Sequence, residues 1–399
     1  MRIRAPLAAL LAVCLASPIA AQVSPESAEK YNAGQELYKK RRYQDAINSF
    51  EEAVSLDAKN AQAYRAMGKA YQKLRSYDKA IESYQMATSM KSDYVAAYLE
   101  LGELQFLRKL YEPAQASFQR VLEIDGSFEG GKATTNLKAA FQKQGNIYFR
   151  QKNYKKAAEQ YENATQVDPS DAGVFYNLGL AHRYARSIAK AQDAYSTAID
   201  LDPAYTSAYR SLGDLYKATQ KNSSAVKNYA KAIDLGPEEK KNIPAYLNLS
   251  SVYNSLKQST KAISILKRGT AAFPKEAKLQ IALGVAYGNQ KQYKSAIVAY
   301  GKALQIKSKD SEAQYRIAVA YFETKQYQKA IANAGKATGS SKWKVPANVL
   351  LGDSHEALGN KDTAIKHYKV GINDRRYKKY CEDKIDRILN PMGSEEDAE

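Results

Sequence analysis

An all-α fold built from ten consecutive helix pairs is what the sequence predicts, on three observations. A glycine set among apolar and aromatic residues recurs every 34 residues along most of the chain. Counted from Ser27 as position 1, apolar side chains fall at positions 4, 7, 8 and 11 and again at 20, 24 and 27, as in Phe175, Leu178, Gly179, His182, Ala191, Tyr195 and Ala198. Steps of three and four residues put such side chains on one face of a helix, so each period holds two amphipathic helices. The third observation is punctuation: Pro169, Pro203, Pro237 and Pro274 stand at position 32, where each ends a second helix. With 44% hydrophobic and 26% charged residues in 399, the chain has enough apolar material for a large core.

The elements follow in order. Residues 1–21 read as an export signal, with Arg2 and Arg4, an apolar stretch from Leu7 to Ala16, and small residues up to an expected cut after Ala21. The apolar stretch is about half the ~20 residues that span a bilayer. Leu11-Ala12-Val13-Cys14 lacks the small residue that a lipoprotein box places before its cysteine, which argues against an anchor at Cys14. The mature chain then keeps one cysteine, Cys381, and no internal disulfide.

Three units occupy 27–60, 61–94 and 95–128; an insertion at 129–137 carrying Gly130-Gly131 reads as hinge-like; seven more units fill 138–378, with Lys240–Asn242 inserted after the sixth. At position 8, Gly68, Gly102, Gly145, Gly179, Gly213 and Gly284 are expected to face alanines at position 20, Ala80, Ala114, Ala157, Ala191, Ala225 and Ala296, letting two helices approach closely. Residues 379–390, with Ile385, Ile388 and Leu389 at helical spacing, are expected to cap the stack. An acidic tail, 391–399, has no core-forming pattern.

This pattern resembles the tetratricopeptide repeat over 27–378. The resemblance implies a right-handed α-solenoid that binds proteins rather than transforming substrates. Its departures are local: the seventh unit has Ser250 and Leu266, and the ninth Ala318 and Ala334, in place of the glycine and the aromatic. No catalytic residue, metal site or cofactor is expected, since the residues outside the repeats are too few for a catalytic domain. His182 and His355 take position 11, a core position, and His367 reads as lying alone on a second helix.

The resemblance further implies a concave face made by first helices, with positions 2, 5, 6, 9, 12 and 13 exposed. In units four to six the candidate ligand-binding residues there are Lys143, Asn146, Arg150, Tyr176, Asn177, Arg183, Arg210 and Lys217. Asparagines can grip a peptide backbone while Arg and Lys hold its acidic groups, so the expected partner is a protein, supplying an extended segment or a helix. A solvated helix face is the plain alternative. Asn146 and Asn177 match two members of the clamp that holds chaperone tails, but Gln142, Ser207 and Ser211 replace its cations, which speaks against that client.

Charge is unevenly spread. Residues 22–128 hold 15 Lys+Arg against 15 Asp+Glu, whereas 129–390 hold 43 against 23. Arg65 and Lys69, in the neutral arm, are therefore expected to matter little to a client. The basic excess suits an acidic protein, an anionic polysaccharide or a lipid surface, or serves solubility alone; nucleic acid is disfavoured by the export signal. Together these features suggest an envelope scaffold, with direct binding of an anionic polymer as the rival.

Overall fold

The computed structural model describes residues 23–390, so the expected signal at 1–21 and the acidic tail at 391–399 lie outside the described residues. Within them the chain is all-helical, with 21 α-helices, one short 3-10 turn and no strand. It divides into two parts, up to Val174 and from Phe175. The first contains α1 (Pro25–Lys39), α2 (Tyr43–Leu56), α3 (Ala61–Lys73), α4 (Tyr77–Met90), α5 (Val95–Leu107), α6 (Tyr111–Asp125), α7 (Phe128–Arg150) and α8 (Tyr154–Val167). The second takes up α9 (Ala172–Tyr184) from Phe175 and runs through α10 (Ile188–Leu201), α11 (Thr206–Ala218), α12 (Asn222–Leu235), α13 (Ile243–Ser255), α14 (Ser259–Ala272) and α15 (Ala277–Asn289). It continues with α16 (Tyr293–Ile306), α17 (Ser311–Glu323), α18 (Tyr327–Ala337), α19 (Lys344–Ala357), α20 (Lys361–Ile372) and α21 (Lys378–Leu389). Inside each part helices pack in antiparallel pairs, and first helices also touch the first helix of the next unit, as α13 does α15 and α15 does α17.

Every first helix ends in the same way. Position 15 of each unit takes a left-handed conformation: Arg41 (φ 61°), Arg75 (59°), Lys109 (64°), Lys152 (62°), Arg186 (63°), Gln220 (59°), Lys257 (58°), Lys291 (56°), Lys325 (59°) and, in the tenth unit, Gly359 (80°). In the first unit the Arg41 N–H donates to Tyr38 O at 2.9 Å and the Arg42 N–H to Leu37 O at 3.0 Å, the paired bonds that satisfy carbonyls left open at a helix end. Second helices stop at Val167, Leu201, Leu235 and Ala272, two residues before Pro169, Pro203, Pro237 and Pro274, as the prolines predict.

The glycines at position 8 have a larger partner than expected. A Cβ on Gly68 would sit 2.7 Å from the Tyr84 ring, one on Gly179 2.6 Å from Tyr195, and one on Gly213 2.8 Å from Tyr229. The residue nearest the glycine is thus the ring at position 24 of the same unit, not the alanine at position 20, although those alanines are fully buried. A flat ring lies against bare backbone and fills the gap between the paired helices. The seventh unit inverts the arrangement: Leu266 replaces the ring, and Tyr246 at position 4 is buried instead, with its ring 3.0 Å from where a Gly269 Cβ would stand.

The insertion at 129–137 is short in its irregular part. Glu129, Gly130 and Gly131 have φ of 48°, 66° and 76°, and helix resumes from Lys132, so 132–137 lengthen the first helix of unit four. Lys240–Asn242 forms the 3-10 turn, where buried Asn242 donates Nδ2 to Ala232 O at 2.9 Å and to Gly236 O at 2.7 Å. The capping helix α21 covers the last pair: Cys381 is fully buried and sits on Gly371, and Ile388 and Ile385 join the same cluster. Leu389, expected to share that role, is 63% exposed because the helix turns it to solvent on its last turn.

Polar bonds fasten the cap as well. Asp353 accepts from Tyr368 Oη at 2.8 Å and Tyr380 Oη at 2.7 Å, while Lys384 Nζ meets Glu356 at 2.8 Å. Burial raises the Asp353 carboxyl above its ordinary range, partly countered by those two hydroxyls.

Candidate functional site

The exposed positions of a first helix face away from its own second helix, so consecutive first helices form one surface inside each part. In the first part the expected residues stand on α7. Lys143 and Arg150 are exposed, and Asn146 Oδ1 accepts from Tyr161 Oη at 2.7 Å. Farther back on this face, Arg65 makes two bonds to Glu100, at 2.6 and 2.8 Å, and Lys69 a third contact at 3.0 Å. Arg65 also lies over the Tyr94 ring, 5.4 Å from its centre. Arg65 and Lys69 thus both hold a half-buried carboxylate and join neighbouring units.

In the second part Tyr176 packs edge-on against Tyr205 at 5.2 Å and obliquely against Tyr195 at 5.9 Å; Asn177 is half-buried beside it on α9. Arg183 reaches Asp214 at 3.7 Å. Asp214 also accepts from Tyr229 Oη at 2.7 Å and from Asn248 Nδ2 at 3.0 Å, while Lys217 donates to Asn248 Oδ1 at 2.9 Å. Arg210 donates to Lys241 O at 2.5 Å. Two of the expected residues, Arg183 and Lys217, therefore share a polar ladder across α9, α11 and α13, with Tyr176 and Asn177 beside it on α9 and Arg210 turned toward the 3-10 turn. Asp214 and Asn248 complete the ladder. Both occupy exposed positions, 9 and 6, so the spacing marks them; attention to cations alone misses them.

Two units on, the same face changes character. Leu247, Ile281, Ala282 and Val285 line a hollow of about 400 Å³ closed by Asn254, Lys278 and Glu312. A second hollow of about 350 Å³ shares Val285 and Asn289 with it and continues to Tyr315, Arg316, Val319 and Glu323. Asn254 Oδ1 is buried without a partner. The sequence carries this signal too: positions 5, 6 and 9 read Ile281, Ala282, Val285 and Tyr315, Arg316, Val319 in units eight and nine. This apolar stretch was not among the expected site residues.

His367 is not alone. Its ring stacks on that of His355, with centres 5.5 Å apart and planes 6° apart, and its Nδ1 lies 2.9 Å from Asn348 Oδ1. Asn348 Nδ2 donates to Lys344 O, which fixes its oxygen toward the ring and makes His367 Nδ1–H the donor. His355 Nδ1 is buried without a partner. Burial lowers both imidazole pKa values, and the neighbouring His355 ring lowers that of His367 further. Among the described residues no group of three or more His, Cys, Asp or Glu is arranged to hold a metal, and no helix is long and apolar enough to cross a membrane.

Comparisons with known proteins agree on the type of repeat. A model described as TPR repeat matches residues 34–74 and 145–183, and two described as tetratricopeptide repeat match 65–127 with 176–240, and 243–276. A model of anaphase-promoting complex subunit 3 matches 289–370. None of the curated proteins compared with the chain matches it. Among solved structures, yeast Tom70 is similar at 15% identity, covering 92% of this chain and 96% of that one, with a TM-score of 0.40. A tetratricopeptide repeat protein from Parabacteroides merdae is similar at 16% identity over 63% of this chain and 99% of its own, with a TM-score of 0.44.

Proposed function

The chain is a tetratricopeptide-repeat protein, and from that premise we propose that it is a non-catalytic scaffold that joins other proteins in a bacterial cell envelope, of the exported type. Proteins of this kind bind peptides and proteins through their repeats. The observation that carries the reading here is the first-helix face of units seven to nine, where partly exposed apolar side chains line two adjoining hollows next to a polar ladder. Apolar hollows supply affinity by burial, and polar neighbours fix the register of a bound segment. An extended segment or an amphipathic helix of a client suits such a surface. Export is supported by the three-part pattern of residues 1–21.

An affinity capture from envelope extract with the chain from Gln22 onward tests the reading, with Ala282→Glu plus Val285→Glu as the paired variant. A client held in the hollows should be lost from the variant, with roughly a hundredfold weaker binding for two buried carboxylates. Equal capture by both forms would sink the assignment to this face. The net charge of 129–390 favours one further reading, direct binding of an anionic polysaccharide or lipid surface. Binding to such a polymer should collapse as salt rises, whereas an apolar client should persist.

A further inference from the structure

A cleft of the second part lies away from the first-helix face, between the second helices α14 and α16. It measures about 680 Å³, within the range of clefts that enclose a ligand. Leu283 and Ala299 form apolar floor, Val298 and Ile306 stand exposed on one wall at 59% and 39%, and Lys267 and Lys302 rise exposed on opposite rims. No Asp or Glu lines it.

Its origin is visible in the repeat. Position 4 holds a ring in units two to seven, namely Tyr64, Tyr98, Phe141, Phe175, Tyr209 and Tyr246, but Gln280, Gln314 and Asn348 in units eight to ten. Gln280 lies in the floor of the cleft at 6% exposure, and its side-chain oxygen is buried with no donor. Its counterparts are spoken for: Gln314 Nε2 donates to Ser308 O at 2.9 Å, and Asn348 bonds Lys344 O and His367. The comparable cleft between α6 and α8 keeps a ring, Phe141, in its lining and carries Glu123 as well.

We infer that the α14–α16 cleft is a second docking site, which takes a partner's peptide segment with an aliphatic side chain flanked by carboxylates. The aliphatic group enters against Leu283, Ala299 and Val298. Carboxylates on either side meet Lys267 and Lys302, and a main-chain N–H supplies the donor that the Gln280 oxygen lacks, once the amide turns that oxygen into the cleft. That last feature selects a polypeptide over an acyl chain, which carries no donor along its length. The site lies on second helices and goes beyond the first-helix face of the proposed function, so the two can be occupied or abolished separately.

The probe is a fluorescein-labelled peptide with a central Leu-Leu pair and two Glu on each side, titrated with the chain from Gln22 onward and read by anisotropy. Saturable binding that weakens as salt rises is expected, and no binding of the same peptide with Lys in place of Glu. Lys267→Glu with Lys302→Glu should weaken it at least roughly tenfold. Ala271→Trp, which fills the cleft from an exposed position on its rim, should abolish it, and Gln280→Met should weaken it severalfold at similar volume. Ala282→Glu with Val285→Glu on the first-helix face should leave it unchanged. The inference is overturned if the unaltered chain fails to bind the peptide, if the lysine reversal leaves binding intact, or if the first-helix variant loses it equally. Circular dichroism checks that each variant folds, and the two exposed lysines keep the test decisive should Ala271→Trp not fold.

Discussion

At the scale of the residue, the contact that sets the repeat is a glycine against a ring, and it makes a sharp prediction. Gly213→Leu places a branched side chain where even a Cβ would stand 2.8 Å from Tyr229, which is fully buried. The expected loss is about 3 kcal/mol, with faster hydrogen exchange concentrated in 206–239. Unaltered exchange there would rule the contact out. The ring at position 24 is legible in the sequence as a core residue, but spacing alone does not say which of two buried faces meets the glycine. The left-handed residues at position 15 are harder to see, because nine of ten are Arg, Lys or Gln and none advertises a turn. Each such residue is strained relative to glycine, so Arg75→Gly, Lys109→Gly and Lys152→Gly together should stabilise by about 1.5 kcal/mol, read as a higher urea midpoint. No change would mean that the side chains contribute contacts equal to the strain. The stacked histidines lie beyond sequence reading altogether: His355 and His367 belong to different helices, and only the packing of α19 on α20 brings them together. Both fold with lowered pKa values, so below the ordinary value of about 6.5 the unfolded chain takes up protons that the folded chain refuses. Stability from this pair is therefore complete above that pH and drains away as the pH falls through it toward the lowered values. Melting temperature should drop on acidification in the unaltered chain, and less so in His355→Gln with His367→Gln; parallel curves would refute the linkage.

At the scale of the element, period and punctuation reveal the helices because each one repeats the same solution ten times. The chain also tolerates local inversion: when Leu266 replaces the ring, Tyr246 and Gly269 rebuild the same close approach from the other helix. A single-unit reading sees only a departure there. The cap α21 is legible from Ile385 and Ile388, whereas its fastening through Asp353, Tyr368, Tyr380 and Lys384 depends on where side chains of three helices end up. Ending the chain after Asn373 would uncover Tyr368 and Val349 and leave Asp353 without its Tyr380 donor. The tenth unit should then lose protection first, with exchange in 345–372 accelerating while 206–239 stays slow. Uniform acceleration would show that the array melts as a whole. Arg65→Glu with Lys69→Glu should act at this scale too, by setting carboxylates against Glu100 between two units and costing about 3 kcal/mol.

At the scale of the whole molecule, the charge map and the N-terminal pattern were readable from composition, and they bear on where the protein works. If export operates as proposed, the mature chain begins at Gln22 and fractionates with the envelope; intact Met1 on a cytosolic pool would refute it. The apolar hollows were less readable, because a first-helix face looks like ordinary core until its neighbours are known to leave it uncovered. Among the described residues of each part, a helix packs chiefly on those next to it and, among first helices, on the next but one. Such an arrangement has no long-range shear clamp to resist a pull on its ends. Under tension the units should peel away singly at low force, each 34-residue repeat paying out roughly 110–120 Å of chain. On release, the remaining stack is a ready template on which each freed unit can fold again. A stack of this construction should therefore answer a pull by lengthening in steps and recoiling, rather than by giving way all at once.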